Sequence, residues 1–117
     1  MDRRVLGLTG ERVAEHELVR RGYRVLARNV RTRMGEIDLV CHDAAGYAFV
    51  EVKTRRAGSF VTAMEAVDGR KARRLAALAE LWLARRGMRD APWRVVVAAL
   101  TVSEEGTRVE LLPLETR

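Results

Sequence analysis

The chain has 117 residues, of which 48% are hydrophobic and 32% are charged, and its formal net charge is +6 at pH 7. This length predicts one domain over residues 1–117, and no apolar run approaches the roughly 20 residues that cross a bilayer, so no membrane partner is expected. The single cysteine, Cys41, excludes an internal disulfide and any metal site that needs two cysteines. The segment 1–9 is too short and too charged for a signal peptide, which predicts a cytoplasmic location.

The excess of positive charge favours contact with a polyanion, because lysines and arginines that neutralise phosphates release counterions. Composition alone leaves a second explanation equally open, since an arginine-rich chain also arises from genomic base bias. Only two of the basic residues are lysines, Lys53 and Lys71. An ammonium group is compact and its pKa shifts readily on burial, so these two positions invite a specific role.

The pattern of apolar and turn-forming residues predicts five strands and two main helices. Thr9 is the expected cap of a first helix that ends near Arg21, before Gly22. Thr62 and Glu65 resemble a capping box for a second helix that ends at Arg86. The predicted strands are residues 23–30, 36–42, 47–54, 94–102 and 108–114. This order indicates an α/β domain in which a mixed sheet of about five strands is flanked by the two helices.

Both helices carry a charged residue on their predicted inward face. Glu11 precedes Ala14 by three positions and Leu18 by seven, so it heads the buried stripe of the first helix and can reach the sheet. Lys71 precedes Leu75 by four positions on the second helix, while its arginine neighbours point outward. Two apolar positions, Cys41 on a strand and Trp82 on this helix, are interpreted as core, as is Trp93; His16 and His42 are interpreted as structural.

The second and third strands are predicted to form a hairpin with residues 43–46 as its loop. In that register His42 pairs with Tyr47, and Asp38 lies opposite Glu51. Directly opposed carboxylates destabilise a sheet, so this pair needs a reason. The register also places Glu36 opposite Lys53, and it places Ile37, Leu39 and Cys41 together on an apolar face. The charged residues gather at one end of the hairpin, which indicates a site at the rim of the sheet.

A divalent cation between the carboxylates is one explanation of that cluster. Mg²⁺ or Mn²⁺ fits oxygen ligands best, and Asp38, Glu51 and Glu11 are the candidate ligands. Such an ion stabilises the charge that develops when water attacks a phosphodiester, and Lys53 could orient the water or hold the phosphate. The alternative is equally open at this point: Glu36 and Lys53 form a cross-strand ion pair, and the other acids are only solvated.

Several motifs resemble a known family. In order they are Gly10-Glu11 with Ala14, Gly22-Tyr23, Arg28-Asn29 with Arg31, residues 35–40 (GEIDLV), residues 49–55 (FVEVKTR), and Val67 with Lys71. On these residues the chain is similar, over about residues 7–100, to the uncharacterised bacterial YraN-like family. Its acidic motifs resemble the PD-(D/E)XK nuclease core of restriction endonucleases and archaeal Holliday-junction resolvases.

The resemblance implies a restriction endonuclease-like fold in which Asp38, Glu51 and Lys53 occupy the catalytic positions and Glu11 is an accessory acid. It does not by itself establish cleavage. The chain departs from the family pattern at one position. Where the family usually reads Arg-Phe-Asp-Val, this chain has Val96 in place of the Asp.

Basic residues near the acidic hairpin are the candidates for nucleic-acid contact. Arg31, Arg33, Arg55 and Arg56 flank the hairpin and could hold phosphates on either side, or they are solvated loop charges. Lys71 is expected either to contact the nucleic acid or to serve as a counter-ion for Glu36 or Glu51.

The favoured function is therefore a Mg²⁺- or Mn²⁺-dependent DNA endonuclease that selects branched or otherwise structured DNA, because so small a domain has few elements left to read base edges. The second hypothesis is a nucleic-acid-binding module with the nuclease fold and little or no cleavage. The third is a scaffold protein whose acids hold a structural ion. A resolvase-like role would need a homodimer to cut two strands symmetrically.

Overall fold

A computed structural model describes residues 3–58 and 69–114 of the chain, with side chains from residue 10 onward. Its elements are α1 (Arg3–Arg20), β1 (Arg24–Thr32), β2 (Gly35–Asp43), β3 (Gly46–Arg56), α2 (Gly69–Arg85), β4 (Trp93–Ser103) and β5 (Gly106–Leu114). The five strands form one sheet in the order β1-β2-β3-β4-β5. All neighbouring strands are antiparallel except β3 and β4, which are parallel. The predicted α/β class, with a mixed five-stranded sheet and two helices in the restriction endonuclease-like order, is confirmed.

The two helices cover opposite faces of the sheet. On the α1 side, Ala14 and Leu18 pack against Leu39, Cys41 and Val50. On the α2 side, the helix contributes a stripe of large apolar side chains that packs against Val40, Phe49 and Val95, namely Leu75, Leu78, Ala79, Trp82 and Leu83. The alternation of β2 and β3 residues between two apolar layers explains why both strands are almost wholly buried at their centres.

The strands agree with their predicted positions and are one to three residues longer. The difference lies in the hairpins, whose turns are tighter than the sequence indicated: Asp43 still pairs with Gly46, and Ser103 still pairs with Gly106. Both glycines have a positive φ, 125° at Gly46 and 131° at Gly106, which other residues adopt only with strain. The side chain of Asp43 supports the first turn by accepting the N–H of Ala45.

The start of the first helix was predicted wrongly. α1 begins by Arg3, so Thr9 lies inside the helix and is not its cap. The preceding residues include arginine and leucine, which favour helix as strongly as most residues that follow, so a threonine within such a run does not interrupt it. The predicted capping box at Thr62 and Glu65, and Val67, lie outside the described residues. Helix α2 ends at Arg85, one residue before the predicted end.

Neither described helix has the length and apolar character needed to cross a bilayer. The assignment of residues 1–117 to a single domain remains a prediction.

Gly10 allows α1 to lie close to the sheet next to the position of Glu11. A methyl group added at Gly10 would overlap with the hydroxyl oxygen of Thr54 on β3 and would lie 3.6 Å from a methyl carbon of Leu100 on β4. Since Gly10 is in a helix, an alanine there would otherwise be more favourable than glycine by roughly 1 kcal/mol. The close approach of α1 to β3 therefore requires glycine at this position.

We expect Gly10→Ala to lower the free energy of unfolding by about 1 to 3 kcal/mol, because the added methyl group overpacks the α1–β3 contact. Urea denaturation followed by circular dichroism measures this. Gly69→Ala on α2 is the matched control, since its added methyl would lie 3.4 Å from the flexible Arg73 side chain and meets no backbone. Thr54→Ala removes the hydroxyl that the added methyl would overlap, so Gly10→Ala should cost less stability in a Thr54→Ala protein than in the wild type. A Gly10→Ala protein as stable as the wild type would contradict the packing described.

Candidate functional site

The hairpin of β2 and β3 opens where the acidic residues lie. Its paired residues run from Asp43 with Gly46 to Leu39 with Val50 in the predicted register, and the described ladder between the two strands ends there. Beyond that point the Asp38 carboxylate accepts the N–H of Val52 at 2.7 Å. A side chain therefore takes a donor that a continued ladder would have given to a β2 carbonyl. The prediction that Asp38 and Glu51 form a ladder pair is therefore wrong. The two acids lie where β2 and β3 separate, just beyond Leu39 and Val50, and we call this point the fork.

A local irregularity of β2 coincides with this fork. Leu39 packs on the α1 side of the sheet, whereas Ile37, two residues earlier, packs on the α2 side. Strand residues two apart normally share a face, so the prediction that Ile37 and Leu39 lie together is wrong. On the neighbouring strand, Asn29 has φ of 51° and lies between the pairs that β1 makes with Leu39 and Ile37. The distortion of both strands at this level changes the face of Ile37 and brings Asp38 to the junction.

Glu51 is the most completely buried acid at the fork, with 8% of its surface exposed. Its Oε1 atom lies 3.1 Å from Nζ of Lys53 and 3.0 Å from Nζ of Lys71. Lys53 follows Glu51 on β3, and Lys71 reaches it from α2, as the inward position predicted. Burial acts to lower the pKa of Lys71, but the carboxylates of Glu51 and Asp38 outweigh that effect and raise it, so its ammonium stays charged at neutral pH.

The alternative pairing of Glu36 with Lys53 is wrong. Glu36 pairs with Arg31 on β1, where the two residues are opposed in the ladder and their side chains approach to 3.9 Å. Both side chains are exposed to solvent, so this ion pair contributes little to stability. Lys53 is used by Glu51 because the opening of the hairpin ends the register that would have placed it opposite Glu36.

Among the acids of this site, Asp38 has a strongly raised pKa. Burial raises its pKa to about 6, the hydrogen bond from Val52 opposes the shift, and the charges of Glu51, Glu11 and Glu36 raise it further. Removal from water and neighbouring negative charge both disfavour the carboxylate form. The nearby cations therefore do not fully neutralise the acids of this site, and the raised pKa of Asp38 reflects that excess of negative charge.

Glu11 lies at the edge of this cluster. It is half-buried on α1, and its pKa is raised by burial and by Glu36 and lowered by Arg31. It also contributes to the raised pKa of Asp38, so the helix brings it near the fork as its position in the buried stripe predicted. Its role as a direct metal ligand remains a prediction.

The donor set suits a hard divalent cation held in part by its substrate. Asp38 and Glu51 offer carboxylate oxygens, and the raised pKa of Asp38 favours the arrival of positive charge. Within residues 3–58 and 69–114, no three His, Cys, Asp or Glu side chains form a group that could enclose a metal by themselves. Mg²⁺ commonly binds through one or two carboxylates and completes its shell with water and phosphate oxygens. Asp38 and Glu51 fit that mode and not a closed protein cage.

The predicted phosphate-binding arginines lie at the same end of the sheet as the acids. Arg31 and Arg33 are exposed where β1 turns into β2, Arg56 is exposed at the end of β3, and Arg55 beside it is half-buried. The β4–β5 hairpin completes a groove of about 1000 Å³ with Arg55 and Arg56, to which it adds Arg108. No sequence pattern indicated Arg108, because its proximity depends on the parallel pairing of β3 with β4.

Other residues singled out in the sequence lie in the core or away from the acids. Cys41 is fully buried, and burial raises its pKa to about 12, which agrees with a core role. His42 packs edge-on against Tyr47 with ring centroids 4.6 Å apart, and His16 is exposed. Val96 is buried in the α1-side core next to Val50. The position where the family usually has Asp therefore faces away from the side of β3 that carries Glu51.

We expect Asp38→Asn to stabilise the metal-free protein at pH about 7.5, because it removes a carboxylate whose charged form is disfavoured. The pKa of Asp38 rises from 3.8 to about 6 on folding, so the folded state binds more protons between these values and wild-type stability falls as pH rises through them. The expected gain is about 1 to 3 kcal/mol at neutral pH and disappears below pH about 3.5. Urea denaturation in a chelator at both pH values measures it.

Asp43→Asn is the control for that prediction and has the opposite expected sign. Slight burial acts to raise the pKa of Asp43, but hydrogen bonds from Arg94 and from the N–H of Ala45 hold it below its usual value. Its replacement should therefore destabilise the protein at neutral pH. If Asp38→Asn also lost stability at neutral pH, that result would contradict the conclusion that the negative charge of Asp38 is not fully neutralised.

Comparison with known proteins gives consistent relatives. The model of the uncharacterised protein family UPF0102 matches residues 10–102. A UPF0102 protein of Symbiobacterium thermophilum is 49% identical over 106 residues, which are 91% of this chain and 89% of that protein. A UPF0102 protein of Anaeromyxobacter sp. is 43% identical over 110 residues, which are 94% of this chain and 83% of that protein.

Among solved structures, Pyrococcus furiosus SfsA in complex with Ca²⁺ is 17% identical and has a TM-score of 0.42. The match covers 97% of this chain and 65% of that one, and at this level of similarity it carries no weight for fold or function. The family match covers most of the chain and includes both acidic motifs. The chain belongs to the uncharacterised protein family UPF0102, the YraN-like family that its motifs resemble.

Proposed function

We propose that the protein is a divalent-metal-dependent DNA endonuclease that selects branched or otherwise structured DNA. The observation that supports this most is the fork between β2 and β3, where Asp38 and Glu51 meet both lysines of the chain. A structural ion pair would need only one cation for each buried acid. Here two cations lie on Glu51, whereas Asp38 accepts the N–H of Val52 and keeps a raised pKa, so the charges favour an added cation over pairwise neutralisation.

Each residue of the fork has a proposed role. Asp38 and Glu51 would hold Mg²⁺ or Mn²⁺, with Glu11 as an accessory acid that adds negative charge from α1. The bound ion would supply Lewis-acid stabilisation of the phosphate and a lower pKa for water. Lys53 would hold a non-bridging phosphate oxygen of the scissile group, because its ammonium is fixed at the acids by β3.

The surrounding arginines would position the nucleic acid. Arg31 and Arg33 lie at one side of the fork, and Arg55 and Arg56 lie on the other, at the same end of the sheet. Contacts of this kind bind the backbone and carry no sequence information. Neither helix projects from the described fold in a way that would enter a major groove, since both pack along the sheet. Selection by DNA structure follows, and a homodimer would be required for symmetric cleavage of two strands.

A nucleic-acid-binding module with little cleavage is the second candidate. It is favoured by two observations: the two ammonium groups already neutralise Glu51, and the described residues contain no closed metal-binding group. In that case the fork would bind phosphate through its lysines, and the acids would only orient them. An endonuclease would lose cleavage when the metal is removed. A binding module would bind nucleic acid equally well with and without metal.

We expect purified protein to cleave branched or flapped DNA in Mn²⁺ or Mg²⁺, and Asp38→Asn, Glu51→Gln and Lys53→Met each to reduce the rate at least about 100-fold. The measurement is single-turnover cleavage of end-labelled branched, flapped and linear substrates, with chelator as the blank. Arg89→Met, an exposed arginine beyond the far end of the sheet, is the charge-matched control for Lys53→Met. Cleavage unaffected by Lys53→Met would exclude this site. Tight binding with no cleavage in either metal would favour the binding module.

We expect Arg33→Ala and Arg56→Ala each to weaken DNA binding and to reduce the slope of log K against log salt concentration by about 1, because each removes one phosphate contact. Fluorescence anisotropy of a labelled branched duplex over a salt series measures both quantities. Arg89→Ala should leave the slope unchanged, since it lies away from the fork. Equal slopes for all three variants would show that the predicted arginines are solvated surface charges.

A further inference from the structure

The two lysines of the chain share one oxygen atom. Oε1 of Glu51 lies 3.1 Å from the ammonium of Lys53 and 3.0 Å from that of Lys71, while the Glu51 side chain is only 11% exposed. One carboxylate carries one negative charge, so two ammonium groups on it exceed neutrality. The excess is balanced by Asp38, Glu11 and Glu36, whose charges all act on the fork. The two ammonium groups at Glu51 therefore neutralise charge of the whole acidic cluster and not of Glu51 alone.

The two lysines reach Glu51 from different elements of the fold. Lys53 belongs to a strand that is paired with β4, and its backbone is opposite Ala99 in the middle of that pairing. Lys71 comes from α2, and 33% of its side chain is exposed, close to the 30% of Lys53. Its four-carbon stem can carry the ammonium from Glu51 towards solvent by rotation of side-chain bonds alone. Lys71 can therefore leave the carboxylate without a change of fold, while Lys53 stays on the strand that carries Glu51.

We propose that Lys71 is a displaceable internal cation that occupies Glu51 in the metal-free protein and gives up this contact when a divalent ion binds. This inference rests on the proposed function, because it assigns a competitor to the metal of the same site. The ammonium released from Glu51 would then be available to a phosphate group of the nucleic acid. Lys71 is a positioning residue in this scheme, since it governs access of the ion to Glu51.

Competition at Glu51 has a thermodynamic consequence. A metal ion that must displace Lys71 binds with an affinity reduced by the free energy of that contact. A phosphate that draws Lys71 away removes the competitor and strengthens metal binding, and by linkage the metal strengthens phosphate binding by the same factor. Nucleic acid and metal would thus load the site together, while neither would occupy it fully alone.

The presence of only two lysines permits a direct test on the wild-type protein. Selective ¹³C,¹⁵N-lysine labelling gives one set of side-chain NMR signals for Lys53 and one for Lys71, and a Lys71→Arg sample assigns them. We expect saturation with diamagnetic Mg²⁺ to shift the Lys71 signals and to increase their mobility, and to affect Lys53 less. Lys71 signals that remain unchanged while Mg²⁺ binds would overturn the inference.

Calorimetric titration with Mn²⁺ in the absence of nucleic acid provides the second measurement. Lys71→Met keeps the aliphatic stem and removes the competing charge, so we expect it to bind the ion about 10-fold more tightly than the wild type. Arg73→Met removes the same charge from an exposed position of the same helix and is the matched control. It should change the affinity by less than about 2-fold. Urea midpoints of all variants establish that each is folded.

The outcomes separate the inference from the function on which it rests. If neither Mg²⁺ nor Mn²⁺ binds the folded wild-type protein with or without DNA, the proposed metal-dependent function fails and the inference fails with it. If the wild type binds the ion and Lys71→Met binds it equally well or more weakly, only the inference is overturned. Tighter binding by Lys71→Met and by Arg73→Met alike would also overturn it, because the effect would then reflect net charge.

Discussion

The contact of the Glu51 carboxylate with two ammonium groups is the interaction on which the rest of this site depends. A buried carboxylate without a partner destabilises a fold by several kcal/mol, so Glu51 is tolerated at 8% exposure only because cations reach it. One of them, Lys53, comes from its own strand, and the other, Lys71, comes from α2. The same contact therefore neutralises the acid and joins the helix to the centre of the sheet.

The opening of the hairpin follows from how β3 is held. Over its whole length β3 pairs with β4, whereas its described pairing with β2 ends at Leu39 and Val50. From there β2 stays with β1, and the Asp38 side chain takes the N–H of Val52. A carboxylate thus supplies the acceptor that the departing strand no longer provides. One residue thus provides the acceptor for the Val52 N–H and places an acid at the fork, so this backbone donor is not left unpaired.

Most of the fold could be predicted from the sequence because it depends on local patterns. The period of apolar residues gave the strands and the buried stripe of α2, and the hairpin at Gly46 fixed the register as far as Leu39. The placement of Ile37 could not be predicted, since alternation along a strand gives no sign of an irregularity that involves the neighbouring Asn29. Thr9 failed as a cap because capping residues also occur inside helices.

The site was predictable in its members but not in its pairing. Both acids and Lys53 follow from the register of one hairpin, and Lys71 follows from helical periodicity. The choice of Glu51 over Glu36 as the partner of both lysines depends on where two strands separate, and no short-range pattern encodes that point. Arg108 is a similar case, because it reaches the groove beside Arg55 only through the pairing of β3 with β4 and of β4 with β5.

The unequal treatment of the two acids distinguishes a binding site from a stabilising ion pair. If the cluster served stability alone, one lysine beside Glu51 and the other beside Asp38 would give two neutral ion pairs from the same four groups. Instead Asp38 keeps a pKa of about 6 that results from burial and from its acidic neighbours. The free energy stored in that uncompensated carboxylate is recovered when positive charge arrives beside it. A fold that retains this imbalance next to two lysines is poised for a cation and an anion together, which is the combination that a metal ion and a phosphate present.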